Sequence, residues 1–400
     1  LGKGAFVQKG KPQRSSDLRI YNEKYVLSRI YESRKTGISQ SELVTETGLK
    51  APTIFRIFGI LEDQKLIEIL REKNTEEPSR KGRRPSVYTV CKDALYTVGL
   101  EFWVSSISIG VFNFNGDRVF SRVETLKPGI SVDEVLEYIA ALVNDALKSL
   151  KISRSKVIGV GVAAPGQVDV VNRRVISYPR IRGMKDIPLA AELEKRLGLT
   201  VILHNNCSVI ALSEYYYGGY DHQGSLFTFL LRAGINGAFV DSKGIYTTSQ
   251  GTTPESGHIP VDSHGPPCTC GANGCLESHI QALDKANVAA GRPLFDGFEE
   301  RLAAGDKSAA VVTDKAADYL FTVTKSIVRF FNPRAFLIVA NGDLLSQSIA
   351  QNIMKCWDRE SDAFVPLKPQ IFSHSYDALV SQLGASELVI SHYFNSDNPL

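Results

Sequence analysis

The 400-residue chain contains no run approaching the roughly 18 consecutive apolar residues that a membrane-spanning helix needs. Nor does it open on the charged, then apolar, then small-residue succession of a secretory signal. Both absences lead us to expect a soluble, cytoplasmic protein with no membrane partner. Cysteine is sparse: six in all, three of them within eight positions. That distribution makes a poor disulfide framework and fits a reducing compartment with a metal site. No strong excess of one charge marks the whole chain, whose formal net charge is +3. The balance hides an asymmetry, because residues 1–92 carry 19 Lys+Arg against 11 Asp+Glu while the remainder carries 27 against 32. A basic N-terminal segment on a mildly acidic body is the electrostatic footprint of a nucleic-acid-binding module attached to something else. A hydrophobic content of 43% allows two or three domains with ample cores.

What is present begins with Cys268-Thr-Cys-Gly-Ala-Asn-Gly-Cys275, with His258 shortly before it. Gly271 and Gly274 let the backbone fold tightly, so thiolates at 268, 270 and 275 can converge on one ion and His258 can add a nitrogen. That Cys3His set has the composition of a closed structural zinc site. Cys-Thr-Cys is too tight for an easy internal disulfide. His264 also precedes the cysteines and is the rival fourth ligand.

Residues 1–16 are polar and basic and read as a disordered arm. From Asp17 the apolar spacing becomes helical through Leu18, Tyr21, Tyr25, Leu27 and Ile30. Ser39-Gln-Ser-Glu42 predicts a capping box opening a short helix that stops at Gly48. Ala51-Pro52 opens the next helix, with proline in the first turn and Ile54, Ile57, Ile60 and Leu61 inward. Helix, turn, helix is the plan in which the second helix enters the major groove. Lys50, Thr53 and Arg56 would then face DNA, Arg56 being suited to bidentate pairing with guanine. Leu66–Ile69 and Ser86–Val90 predict two strands around a charged loop whose tip holds Arg80, Lys81, Arg83 and Arg84, suited to phosphates or the minor groove. The result is a winged helix-turn-helix over residues 17–92.

Beyond residue 94 strands are expected at 96–100, 106–112 and 118–122, then a helix at 132–150, a strand at 157–162, a helix at 189–197 and a strand at 200–203. A second such set runs from Leu226 to about Tyr376, and a last helix near 378–393 packs back on the first. This meander with βαβ crossovers is the half-domain of the actin-like ATPase fold.

Glu255-Ser-Gly-His258, the cysteine loop and Leu276-Glu277-Ser278 together resemble the signature of the ROK family of sugar kinases and sugar-responsive repressors. Gly82-Arg-Arg-Pro85 also resembles the wing of the repressors. The resemblance covers nearly the whole chain. It implies an α/β architecture, a winged helix-turn-helix followed by a two-lobed kinase-like domain: lobe 1 at 93–205 with the helix 377–400, lobe 2 at 206–376 with the zinc loop. It also implies that Glu255, His258 and Glu277 contact the sugar.

The chain departs from the kinases where chemistry happens. The phosphate turn Asp-x-Gly-Gly-Thr is matched by Glu101-Phe-Trp-Val-Ser105, and the second glycine-rich turn by Arg232-Ala-Gly-Ile-Asn-Gly-Ala238, which keeps only Gly234 in phase. The family's Asn-Asp pair is Asn205-Asn206, and an amide at 206 hydrogen-bonds a hydroxyl but takes no proton from it. Arg180 stands where sugar loops of the family carry asparagine, either bridging an acidic sugar or pairing on the rim.

The expectation is therefore a non-enzymatic regulator of carbohydrate genes, a repressor of the xylose-repressor or N-acetylglucosamine-repressor type. It would use operator DNA, a sugar-type effector held by Asn205, Asn206, Glu255, His258 and Glu277, and one Zn2+, as a homodimer or dimer of dimers. The alternatives are a ROK sugar kinase carrying a DNA-binding domain, and a constitutive DNA-binding protein that the body only dimerises.

Overall fold

A computed structural model describes residues 15–72, 86–360 and 368–396. The wing tip with Arg80, Lys81, Arg83 and Arg84, and nearly all of the N-terminal arm, lie outside the described residues. Helix α1 (Ser15–Glu32) starts two residues ahead of its expected position, so Ser15 and Ser16 belong to it rather than to the arm. A two-residue strand β1 (Ile38–Ser39) follows, then α2 (Gln40–Thr47), α3 (Ala51–Asp63), β2 (Ile67–Glu72) and β3 (Ser86–Val90).

The local chemistry explains each boundary. Ser39 Oγ accepts from the Glu42 amide at 3.3 Å while Glu42 Oε2 accepts from the Ser39 amide at 2.7 Å, which satisfies two orphan donors at the start of α2. Gly48, at φ 70°, ends α2, and Pro52 sits in the first turn of α3. Ile54, Ile57 and Leu61 are buried as expected, but Ile60 is only half-buried, and Phe58, edge-on to Tyr88 at 4.8 Å, completes the inner face. On α1, Leu18 is exposed, while Val26 and Tyr31 join Leu27 and Ile30 in the core. The strands form a sheet of order β1-β3-β2, which makes the unit a winged helix.

The body uses one strand plan twice. Its first half comprises β4 (Tyr96–Phe102), β5 (Ser106–Asn113), β6 (Arg118–Thr125), α4 (Val132–Ser149), β7 (Val157–Ala164), a small sheet of β8 (Gln167–Asp169), β9 (Arg174–Ser177) and β10 (Lys185–Ile187), α5 (Leu189–Leu197) and β11 (Val201–Asn205). Helix α6 (Asn206–Tyr217) crosses to the second half. That half comprises β12 (Ser225–Leu231), β13 (Ile235–Asp241), β14 (Gly244–Ile245), α7 (Leu276–Leu283), α8 (Lys285–Ala289), α9 (Phe298–Ala303), α10 (Lys307–Phe331), β15 (Ala335–Ala340), α11 (Asp343–Arg359) and β16 (Gln370–Ser375). The large sheets have orders β6-β5-β4-β7-β11 and β14-β13-β12-β15-β16. In both, the opening strand pairs antiparallel with the second and parallel with the strand after the crossover.

The last helix, α12 (Ala378–Asn395), packs on the first sheet and against α6. Gly99 and Gly161 make that approach possible: a Cβ on either would stand 1.8 Å from a carbonyl oxygen of α12, of Gln382 or Ala385. The far end of α12 meets the winged helix. Phe114, Ile390 and Phe394 share one apolar cluster with Leu27, Ile30 and Tyr31 of α1, and Lys24 Nζ donates to the Tyr393 and Ser396 carbonyls at 2.6 and 2.8 Å. Among the described residues no helix is long and apolar enough to cross a membrane.

Candidate functional site

His258, Cys268, Cys270 and Cys275 come together so that one ligand atom of each lies within 4.8 Å of the others. Cys270 Sγ is 3.7 Å from Cys275 Sγ, and Cys268 Sγ is 3.4 Å from His258 Nδ1. The edge of a tetrahedron with Zn–S arms of 2.3 Å is about 3.8 Å, so the donor set and spacing fit zinc. All four positions are unbridged thiols or imidazole. His264, the rival ligand, has a 95% exposed side chain and stands outside the cluster. The loop closes tightly because Gly274, at φ 69°, lies where a Cβ would meet Asp262 O at 1.5 Å.

The same loop positions the two glutamates. Cys275 directly precedes α7, whose second residue is Glu277, and His258 lies one turn beyond Glu255. Glu277 Oε2 accepts from the Ile235 amide at 3.0 Å, and Oε1 accepts from Gln281 Nε2 at 3.0 Å. Burial first, and the charge of Glu277 second, push the Glu255 carboxyl up to about 7. At the start of α6 the two asparagines have different duties. Asn205 caps the helix, its Oδ1 accepting from the Cys207 amide at 2.9 Å, while its Nδ2 donates to Gly166 O at 2.8 Å. Asn206 Oδ1 accepts from the same amide at 3.0 Å, but its buried Nδ2 has no protein partner. An amide donor left unpaired in a buried site costs about 1–3 kcal/mol until something accepts its hydrogen bond.

The positions of the two phosphate turns are filled. The Arg232 guanidinium lies over the Trp103 ring at 4.3 Å and over the Tyr376 ring at 3.7 Å. Tyr376 Oη in turn donates to the fully buried Glu101. Burial raises the Glu101 carboxyl above its usual range, with Arg232 pulling the other way. Glu101 and Trp103 lie on or just after β4 of the first sheet, Arg232 and Tyr376 just after β12 and β16 of the second, so the four side chains tie the two halves of the body together. Arg180 adds a second tie, its Nη2 donating to Ala233 O at 2.7 Å rather than to a rim carboxylate.

On the winged helix, Lys50 is exposed at the N-cap of α3 and Thr53 is half-buried. Arg56 is half-exposed and ion-paired at 3.4 Å with Glu23 of α1, whose carboxylate also receives Arg19 at 3.0 Å. Of the large apolar side chains exposed on the described winged helix, Phe55 is the most open, at 72%.

The ROK family model matches residues 97–391 of the chain. The chain belongs to the ROK family. A relative from Caldicellulosiruptor sp. (strain Rt8B.4) is 29% identical over 200 residues, half the length of each chain. The xylose repressor of Bacillus spizizenii (strain ATCC 23059 / NRRL B-14472 / W23) is 23% identical over 387 residues, covering 94% of this chain and 96% of the repressor. The glucokinase of Thermotoga maritima (strain ATCC 43589 / DSM 3109 / JCM 10099 / NBRC 100826 / MSB8) is 27% identical over 272 residues, covering 61% of this chain and 81% of the enzyme. Among solved structures, a ROK family transcriptional regulator described as a homolog of the E. coli MLC protein superposes with a TM-score of 0.76 at 20% identity, covering 94% of this chain and 97% of that one. This likeness establishes the fold across both the winged helix and the ROK body.

In this ROK chain Trp103 and Val104 visibly stand at the kinase glycine positions, but what replaces the cradle is not legible in the sequence. Arg232, Trp103 and Tyr376 come from three distant segments, and the only local signal was two large side chains in turns built for small ones. Phe55 was missed because the DNA-facing residues were sought among hydrogen-bonding side chains.

Proposed function

We propose that this ROK chain is a sugar-responsive transcriptional repressor of carbohydrate-utilisation genes, which reads operator DNA with its winged helix and carries out no phosphoryl transfer. The clasp of Glu101, Tyr376, Arg232 and Trp103 is the observation that carries this reading. A kinase needs backbone amides free to cradle nucleotide phosphates, and here bulky side chains packed on one another occupy that approach. The sugar half of the cleft keeps its polar groups. Asn206 Nδ2 offers an unpaired donor, and Glu255 and Glu277 offer carboxyls to hydroxyl groups. Zinc, held by His258, Cys268, Cys270 and Cys275, supplies a fixed brace rather than a reaction centre. Lys50, Thr53 and Arg56, with Arg80, Lys81, Arg83 and Arg84 of the wing, would contact DNA, and Arg56 would leave Glu23 to do so. Asn205, already capping α6, would shape the sugar pocket rather than touch the sugar. A homodimer or dimer of dimers would place two winged helices on half-sites of a palindromic operator.

The test is a coupled assay of ATP turnover over a broad sugar panel, together with operator binding in the presence of each sugar. No sugar phosphate is expected from the wild type, or from Asn206→Asp alone, because the nucleotide approach stays filled. Sugar-phosphate formation by the wild type would establish the kinase reading, which the glucokinase relatives keep in play. Glu255→Ala is expected to bind operator with unchanged affinity and to lose its response to sugar. Retention of that response would remove Glu255 from the site.

A further inference from the structure

The exposed N-terminal edge of α3 differs from what its polar residues suggest. Thr53 is half-buried and Arg56, though exposed, is paired with Glu23, so the open apolar residues of the first two turns are Ala51, Pro52 and Phe55. These positions are adjacent on one helix face, three and four residues apart. None carries a side-chain hydrogen-bond donor, and Pro52 lacks even a backbone one. A phenyl ring 72% open to water on a 13-residue helix is unfavourable for the free protein. The exposed side chains of α2 and the N-cap are Ser41, Glu42, Thr45, Glu46 and Lys50, in a segment where residues 1–92 carry 19 Lys+Arg against 11 Asp+Glu. An apolar centre on a segment of net positive charge is the complement of a phosphate-flanked groove that displays methyl groups.

We infer that Phe55, seated beside Ala51 and Pro52, reads the C5-methyl group of thymine in the major groove and so sets the sequence preference of the winged helix. The inference rests on the DNA-binding reading given above. The N-terminal half of a recognition helix is the part that reaches base edges. The thymine methyl is the one apolar group that the major groove presents, and phenylalanine is among its known partners. Arg56, released from Glu23, would reach a neighbouring base or phosphate, so that position 55 supplies selection and position 56 anchorage.

The experiment selects duplexes from a randomised DNA library with the full-length zinc-bound chain, then resynthesises the selected duplex with each thymine replaced in turn by deoxyuridine, which lacks only the methyl group. One or two thymines per half-site are expected to weaken binding about 4-fold when replaced, the effect of one buried methyl. Phe55→Ser should bind thymine and deoxyuridine duplexes alike at those positions, and Phe55→Leu should keep part of the difference. A selected sequence with no deoxyuridine penalty, or a penalty that survives in Phe55→Ser, overturns the inference and leaves the DNA-binding reading intact. Selection of no sequence by the wild type overturns both. If Phe55→Ser instead changes the sedimentation of the protein and not its base preference, the apolar face is a contact between copies of the chain and the inference fails.

Discussion

Cys268→Ser is expected to strip the chain of its metal and to lower its melting temperature by about 10 °C, a loss of several kcal/mol spread over a body of this size. Zinc contributes about 10–16 kcal/mol where it is the sole organiser of a small fold. Here the loop is anchored at both ends in a lobe with its own apolar core, so only part of that is at stake. The larger consequence is for the sugar. Cys275 is the N-cap of the helix bearing Glu277, and His258 ends the single turn that begins at Glu255. Release of the ion therefore frees both carboxyls at once, and effector affinity should fall together with stability. Elemental analysis of the wild type should find one zinc per chain, and the variant none. Cys356→Ser, on α11 beside Asp318 and outside the metal cluster, is the control and should retain both the metal and the melting temperature. Wild-type protein without stoichiometric metal would refute the zinc site. Normal effector affinity in the metal-free variant would show that the loop holds the glutamates without it.

What could be read from the residues alone was whatever depends on near neighbours. The capping box at Ser39 and Glu42, the proline opening α3, the cysteine loop and the helix at 189–197 are all local matters, and each lies where expected. The repeated strand plan was legible because each strand alternates or runs apolar over its own length. What escaped depends on the tertiary fold. β1 is two residues long and exists only because β3 passes beside it. Asn205 and Asn206 read as a matched pair, yet the first spends its amide on capping and on Gly166 while the second keeps a free donor. The Arg56–Glu23 pair joins residues 33 apart on two helices, and no local pattern announces it. The seam between the winged helix and the body was invisible for the same reason: Tyr31 reads as an ordinary core aromatic, and its partner Glu387 is 356 residues away.

That seam supplies the second large expectation, a loss of communication between sugar and operator in Tyr31→Phe. Helix α12 joins the first sheet, α6 and α1. It lies on the floor of the first lobe, packs against α6, whose first residue is Asn206, and ends against α1. Where it meets α1, Tyr31 lies tilted against Phe114 and Phe394, ring centroids 5.5 and 5.6 Å away, with the Arg34 guanidinium over its ring at 4.1 Å. Glu387 Oε1 accepts from Tyr31 at 3.3 Å and from Tyr217 of α6 at 2.5 Å, so one buried carboxyl joins the DNA-binding unit, the last helix and the interlobe helix. Burial drives the Glu387 carboxyl upward, opposed by Arg34. If sugar changes the angle between the lobes, α6 and α12 shift together and α1 must follow, which alters the spacing of two winged helices in a dimer. Coupling of this kind is worth about 1–3 kcal/mol, a change of about 5- to 150-fold in affinity, and linkage requires operator DNA to weaken sugar binding by the same factor. Tyr31→Phe keeps the ring and its packing while removing the hydroxyl, so folding should survive. Tyr31→Ala would confound the result with a packing loss of about 3–5 kcal/mol. Calorimetric titration of sugar with and without an operator fragment should show the full factor in the wild type and a factor near one in Tyr31→Phe, with sugar affinity in the absence of DNA unchanged. Equal sugar affinities with and without operator in the wild type would mean that the two ends do not communicate. A full coupling factor in Tyr31→Phe would mean that they communicate by a route other than Glu387.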